Sequence, residues 1–266
     1  MLIAGNWKMN LLPHEGMLLT HEICEGMKSI SPEIEILICP PFTHLAQCSV
    51  IIESDDARIS LGAQNCDSHE FGAYTGEISP LMLASMGVEY VIIGHSERRL
   101  LFNESNEIIA EKCHAVLEAG MIPIICIGEK LEERNAGNFE GIIREQLLGI
   151  LTNEEILEAM LISDIVIAYE PVWAIGTGLA AEPDQAENAH TFIRSILNEY
   201  LPGQSDMIRI LYGGSVKPEN ASAYFAMPNI DGALIGGASL NVESFLAIAQ
   251  SARFYISSIF FVIFCL

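Results

Sequence analysis

Basic residues are scarce in this chain. Thirteen lysines and arginines face 35 aspartates and glutamates over 266 residues, a formal net charge of −22. A surface that acidic repels DNA, RNA and anionic lipid, so no nucleic-acid partner is expected. It does not exclude a small anionic substrate, because a pocket's local potential can differ in sign from the whole surface. Close cysteine pairs are missing too. The seven cysteines (24, 39, 48, 66, 113, 126 and 265) are odd in number, and none shows the C-x-x-C spacing of zinc or redox sites. Most sit in apolar runs and read as free buried thiols in a reducing compartment. The first residues lack the charged-then-apolar layout of a secretory signal, so a cytoplasmic location is expected. No linker or low-complexity stretch interrupts the chain before residue 254. No G-x-G-x-x-G turn follows the first apolar run, which ends in Asn-Trp-Lys instead. An open doubly wound sheet, the second choice of fold, therefore lacks its usual phosphate turn.

What recurs is a short apolar run followed by a longer mixed segment. The runs are residues 2–7, 34–40, 59–65, 90–95, 122–128, 165–170, 208–214 and 232–237. They are rich in Ile and Val and nearly continuous rather than alternating, as in parallel strands buried on both faces. Residues 14–29, 104–119, 139–151 and 184–200 read as helices. Gly120 is a stop signal for the second, and Pro183 suits the first turn of the fourth. Eight strands alternating with helices predict a single-domain α/β fold, a closed (β/α)8 barrel over residues 1–253. Residues 254–266 form an apolar extension broken by Ser257 and Ser258. As a helix it would reach about 20 Å, short of the ~30 Å bilayer core. An extra helix on the barrel, an interfacial anchor and a tail from a shifted reading frame all remain open. Membrane contact is not expected of the barrel.

The runs end in polar residues, and a parallel barrel gathers such ends at one rim. Asn6 and Lys8 close the first run, and strand alternation puts them on one side. His95 closes the fourth and Glu170 the sixth. A carboxylate ending a buried strand is either a structural ion pair or a general base tuned by a dry pocket. The following residues 171–181 are small and contain glycine, which suits a lid that expels water. His95 is either a satisfied core histidine or a neutral imidazole. In the second case a helix N-terminus would offer one ring nitrogen a backbone N–H while the other faces substrate. Lys8 is either a snorkelling surface lysine or a pocket cation facing a phosphate or developing oxyanion. Tyr212-Gly213-Gly214-Ser215 and Gly236-Gly237 end the last two runs, where barrels commonly bind phosphate. The residues alone thus point to a small phosphate ester and to proton abstraction next to a carbonyl.

Five runs resemble the triose-phosphate isomerase family, in the family's order: Ala4-Gly5-Asn6-Trp7-Lys8-Met9-Asn10, Gly94-His95-Ser96-Glu97-Arg98-Arg99, Ala168 through Gly178, Tyr212-Gly213-Gly214-Ser215-Val216, and Gly236-Gly237-Ala238-Ser239-Leu240. The resemblance covers about residues 2–252. It implies that Glu170 moves a proton between two substrate carbons, that neutral His95 polarises the carbonyl, and that Lys8 stabilises negative charge beside Asn6. It implies phosphate contacts from Gly176, Ser215, Gly236 and Gly237. A lid of Pro171, Val172, Trp173, Ala174, Ile175, Gly176, Thr177 and Gly178 would be gripped by Tyr212 and Ser215. No metal or organic cofactor is implied. It further implies a homodimer formed through a loop running from Gln64 and Asn65 to Thr75, Gly76 and Glu77. The extension and Asn241, where many relatives have lysine, depart from the family pattern. A Schiff-base aldolase would need a lysine in strands five to eight, and a metal-dependent epimerase further His and Asp ligands; neither pattern is present. A scaffold that kept the fold but lost the activity is the non-enzyme alternative.

Overall fold

A computed structural model describes residues 1–161, 163–174 and 180–252. Among them, eight parallel strands close into a barrel in sequence order. The strands are β1 (Leu2–Asn6), β2 (Glu35–Cys39), β3 (Ile59–Ala63), β4 (Tyr90–Ile93), β5 (Ile122–Ile127), β6 (Val166–Tyr169), β7 (Arg209–Tyr212) and β8 (Gly232–Ile235). β1 closes the ring, pairing with β2 from Leu2↔Glu35 to Asn6↔Cys39 and with β8 from Leu2↔Gly232 to Gly5↔Ile235. The helices are α1 (Pro13–Gly26), α2 (Leu45–Ser54), α3 (Pro80–Ala84), α4 (Ser96–Leu101), α5 (Asn106–Glu118), α6 (Leu131–Asn135), α7 (Phe139–Leu151), α8 (Glu154–Met160), α9 (Pro183–Tyr200), α10 (Ala221–Phe225) and α11 (Val242–Ser251). None of the described helices is long and apolar enough to cross a membrane.

Alternation along the strands makes two cores. Leu2 and Ala4 of β1, Ile124 and Cys126 of β5, and Val166 and Ala168 of β6 point into the barrel. Ile3, Ile125 and Ile167 point outward against the helices. Both faces are dry, which is why the strands read as unbroken apolar runs. The inward series continues to Asn6 at the end of β1 and, just past their strand ends, to Gly128, Glu170, Gly213 and Gly236. Where the lower layers carry bulk, this top layer carries two polar side chains and three glycines. A Cβ on Gly128 would stand 1.7 Å from the Glu170 carbonyl oxygen, and one on Gly213 would stand 2.9 Å from Glu170 Cγ. Those glycines are the space Glu170 occupies.

The strands are shorter than their apolar runs, since ladder pairing stops before the polar tips. The helix expected at 14–29 ends at Gly26 and continues as a 3-10 turn, Met27–Ser29. Asn6 and Lys8 share the cavity side as expected, but not through strand alternation. β1 stops at Asn6, and Lys8 lies beyond it in the left-handed region at φ 54°. A left-handed non-glycine backbone carries strain that persists only where the surroundings fix it. Here the Lys8 backbone N–H donates to Asn6 Oδ1 (3.0 Å), and its carbonyl accepts from Gln64 Nε2 (2.9 Å). Ile175, Gly176, Thr177 and Gly178, and the extension 254–266, lie outside the described residues.

Candidate active site

A cavity of about 790 Å³ opens at the C-terminal mouth of the barrel, lined by Asn6, Lys8, His95, Glu170, Ser215 and the glycines at 236 and 237, among others. Each chemical group arrives by its own local route. Asn6 is the last residue of β1, and Glu170 directly follows β6. His95 is off the inward register. It reaches the cavity because Gly94, at φ 65°, turns the chain after β4, a conformation that L side chains rarely adopt.

Glu170 is buried (2% exposed) and so is His95 (6%). The Glu170 carboxylate accepts the Ser96 backbone N–H at 2.8 Å and the Ser96 hydroxyl at 3.3 Å, and it meets His95 Nε2 at 3.0 Å. The Glu97 backbone N–H, in the first turn of α4, donates to His95 Nδ1 at 3.2 Å. With Nδ1 an acceptor, the proton of the neutral ring sits on Nε2 and points at Glu170. Burial pushes the Glu170 pKa up, but His95, the Ser96 N–H and Lys8 outweigh it, so the carboxyl lies below its ordinary value and is ionised. Burial lowers the His95 pKa while the adjacent Glu170 charge raises it, and the net direction is upward. That upward pull exists only while the carboxylate rests against the ring. If Glu170 leaves, burial and Lys8 favour the neutral ring, opposed by Glu97.

Lys8 Nζ pairs with Glu97 Oε1 at 2.5 Å. Glu97 therefore touches two site residues, one through its backbone and one through its carboxylate. Ser215 Oγ donates to the Ala174 carbonyl at 3.3 Å. The Tyr212 hydroxyl is buried and makes no hydrogen bond of good geometry among the described residues; its ring stacks on Tyr224 at 4.3 Å. Pro171 and Ala174 are buried, joined by Ala174 N–H to the Pro171 carbonyl at 2.7 Å. Val172 lines the cavity. Trp173 Nε1 donates to Glu129 Oε1 at 2.9 Å. The Gly236 carbonyl accepts both the Ser239 N–H (2.9 Å) and hydroxyl (2.7 Å), which folds the turn over the cavity.

Sequence reasoning assigned no role to three residues. Ser96 holds the carboxylate, Glu97 ties Lys8 to His95, and fully buried Glu129 gathers Arg134 (2.7 Å), Tyr169 (3.1 Å) and Trp173. Ser96 and Glu97 flank His95 in the same motif, a signal within reach; Glu129 has no local signal. Of the expected interface residues, Gln64 is in contact with the site through Lys8. Gln64 is fixed to the Lys8 and Cys39 carbonyls, and Asn65 Oδ1 accepts from Lys112 Nζ at 2.9 Å. Thr75, Gly76 and Glu77 are exposed on a loop that also exposes Phe71 and Tyr74.

A closed parallel barrel with a carboxylate, an imidazole and an ammonium converging at its C-terminal mouth is a (β/α)8-barrel enzyme built for proton transfer. The profile of the triosephosphate isomerase family matches residues 1–252, and the chain belongs to that family. A triosephosphate isomerase of Bacteroides fragilis is 48% identical over 251 residues, spanning 94% of this chain and 98% of its own. One from Herminiimonas arsenicoxydans is 46% identical over the same shares. The crystal structure of the Bartonella henselae triosephosphate isomerase superposes with a TM-score of 0.83 at 40% identity, covering 95% of this chain and 98% of that one.

Proposed function

We propose that the chain interconverts dihydroxyacetone phosphate and D-glyceraldehyde 3-phosphate by proton transfer through an enediolate. The reading rests on one observation above the rest: the Glu170 carboxylate and His95 Nε2 lie 3.0 Å apart in the cavity that also holds Lys8 and the two glycine turns.

Glu170 acts as the base. It leaves the Ser96 N–H, takes the proton from the carbon beside the carbonyl, and returns it to the neighbouring carbon. Negative charge then builds on the carbonyl oxygen. His95, neutral with its proton on Nε2, donates to that oxygen and passes protons between the two oxygens. The Lys8 ammonium lowers the energy of the developing oxyanion, helped by low dielectric, and Asn6 orients the substrate. Backbone N–H groups at Gly176, Ser215, Gly236 and Gly237 take the phosphate, since glycine lets an anion approach the main chain. Residues 171–178 act as the lid, with Tyr212 and Ser215 its closing contacts. The chemistry moves only protons and uses no cofactor.

The chain works as a cytoplasmic homodimer. The exposed loop reaching Thr75, Gly76 and Glu77 docks beside the partner's site, and its aromatic tip supports this reading. One barrel domain spans residues 1–253, with the apolar stretch 254–266 outside it. A coupled assay of glyceraldehyde 3-phosphate isomerisation tests the assignment. Glu170→Ala should lose ~10²–10⁴-fold in rate, the usual worth of a positioned base. Equal turnover by the two proteins rejects the role.

A further inference from the structure

We infer that Lys217 is a steering residue, whose ammonium at the cavity rim draws a phosphate dianion inward against the repulsion of a strongly acidic protein. The inference rests on the isomerase reading and adds a residue to it.

The problem it answers is electrostatic. A molecule with net charge −22 repels a dianionic substrate over most of its surface. Among the described residues lining the cavity there are two cations, Lys8 and Lys217, and two carboxylates, Glu97 and Glu170. Lys8 is held by Glu97 at 2.5 Å, deep enough that its side chain is only 25% exposed. Its field is largely cancelled for an ion still outside. The Lys217 side chain is 64% exposed, and its nearest carboxylate, Glu219, is 4.0 Å away and 71% exposed. An ion pair that open and that long is worth little, so the charge stays available to solvent ions.

The placement is built. The Lys217 backbone N–H donates to Asn220 Oδ1 at 2.7 Å, and Asn220 Nδ2 donates to the Ser215 carbonyl at 3.2 Å. The Ala221 N–H closes the turn on the Lys217 carbonyl at 3.0 Å. Asn220 thus fixes the Lys217 backbone two residues beyond Ser215, on the phosphate side of the cavity. The side chain extends into solvent from an anchored backbone. Without Lys217 the lining would carry one cation against two carboxylates, and an approaching dianion would meet a net negative mouth. A rim charge of this kind acts on association and its salt dependence more than on chemistry.

The test compares the full chain with Lys217→Met, Lys217→Arg and Lys28→Met. Lys28 is exposed in the 3-10 turn after α1, at the opposite end of the barrel. Its removal changes net charge equally, so the comparison isolates position. At low ionic strength Lys217→Met should lose roughly 3- to 10-fold in kcat/KM. That gap should close as salt shortens the screening length to a few ångströms, and kcat should move far less than kcat/KM. Lys217→Arg should restore the wild-type curve, and Lys28→Met should follow it. Inorganic phosphate, titrated by phosphorus NMR at low and high salt, reads the same differences without turnover. Parallel salt curves for wild type and Lys217→Met, a loss confined to kcat, or an equal effect of Lys28→Met overturns the inference. A wild-type protein that does not isomerise triose phosphate overturns the underlying reading, while the phosphate titration still decides the role of Lys217.

Discussion

Adding one methyl group at Gly128 should disable the site from beneath. Gly128 follows β5 on the inward register, beside the backbone of Glu170. A Cβ there would stand 1.7 Å from the Glu170 carbonyl oxygen and 2.7 Å from its carbonyl carbon, where ordinary contact begins at 3.4 Å. The obstacle is main chain, so no rotamer relieves it. Glu170 must retreat by about 1.5 Å, against three anchors. Its N–H is bonded to the Ile127 carbonyl at 2.7 Å, the Tyr169 carbonyl accepts the Gly213 N–H at 2.7 Å, and Gly128 is itself clamped by Gln146 at 2.8 and 3.1 Å. Overpacking of this kind costs about 1–3 kcal/mol, or roughly 3–10 °C in Tm for a chain of this size. The carboxylate moves with its backbone, and a displacement near 1 Å costs about 10²-fold in rate. The assay is kcat/KM in the coupled reaction on Gly128→Ala, with thermal melting followed by circular dichroism on the same sample. A variant that melts normally and keeps activity within about threefold of wild type would show that the top layer does not fix the base.

Gly237→Ala should separate binding from folding. No atom lies within 4 Å of a Cβ built there, so the melting temperature should hold. The methyl group enters the anion's approach path, and KM should rise by about tenfold; an unchanged KM removes Gly237 from the phosphate contacts. Glu104→Gln should destabilise the fold. Glu104 is buried between Lys112 (2.5 Å) and Arg98 (2.7 Å), and breaking such a pair costs about 3 kcal/mol. Burial raises the Glu104 pKa, but the two cations outweigh it and hold the value below the ordinary 4.5. A depressed carboxyl pKa contributes stability above that ordinary value and loses it as pH falls through the folded value. The deficit of Glu104→Gln should therefore be full at neutral pH and shrink in acid melts. A deficit independent of pH would contradict the charge account.

Most of the fold was legible because parallel strands covered on both faces leave a coarse signal: continuous Ile- and Val-rich runs at regular spacing. α7 spans the expected 139–151, and α9 differs from expectation by one residue, because both carry a full apolar stripe. α3, α6 and α10, five residues each, are too short for a helical period to register. α2 and α11 were unmarked because their sequences are apolar around much of the circumference. Asn241, the departure from the family pattern, caps α11 by accepting the Ser244 N–H at 2.8 Å, a role a lysine side chain could not take. In the site, strand tips pointed to Asn6, His95 and Glu170 through topology alone. Lys8 shares the cavity with Asn6 as the strand period suggested, but through a left-handed backbone rather than a continued strand. Glu129 stayed hidden because its partners lie 5, 40 and 44 residues away, and nothing local marks a carboxylate that collects them.

The hidden contacts answer a physical difficulty that the recognisable ones create. A barrel interior is a poor place for charge, and an ionised carboxylate buried without partners would shift its pKa until it was neutral and useless as a base. Glycines at 128 and 213 make room for Glu170 but solvate nothing. The solvation comes from the first turn of α4, through the Ser96 N–H and hydroxyl, and from the Nε2 proton of His95. Glu170 is therefore ionised and satisfied before any substrate arrives. In the proposed reaction, reaching a substrate carbon gives up those hydrogen bonds, which strengthens the carboxylate as a base when it takes the proton. On the proposed mechanism the same departure frees the His95 Nε2 proton for the substrate oxygen and removes the larger of the two negative charges that raise the imidazole pKa, leaving Glu97. One movement of one side chain makes the carboxylate a stronger base and leaves the imidazole without its nearest negative charge.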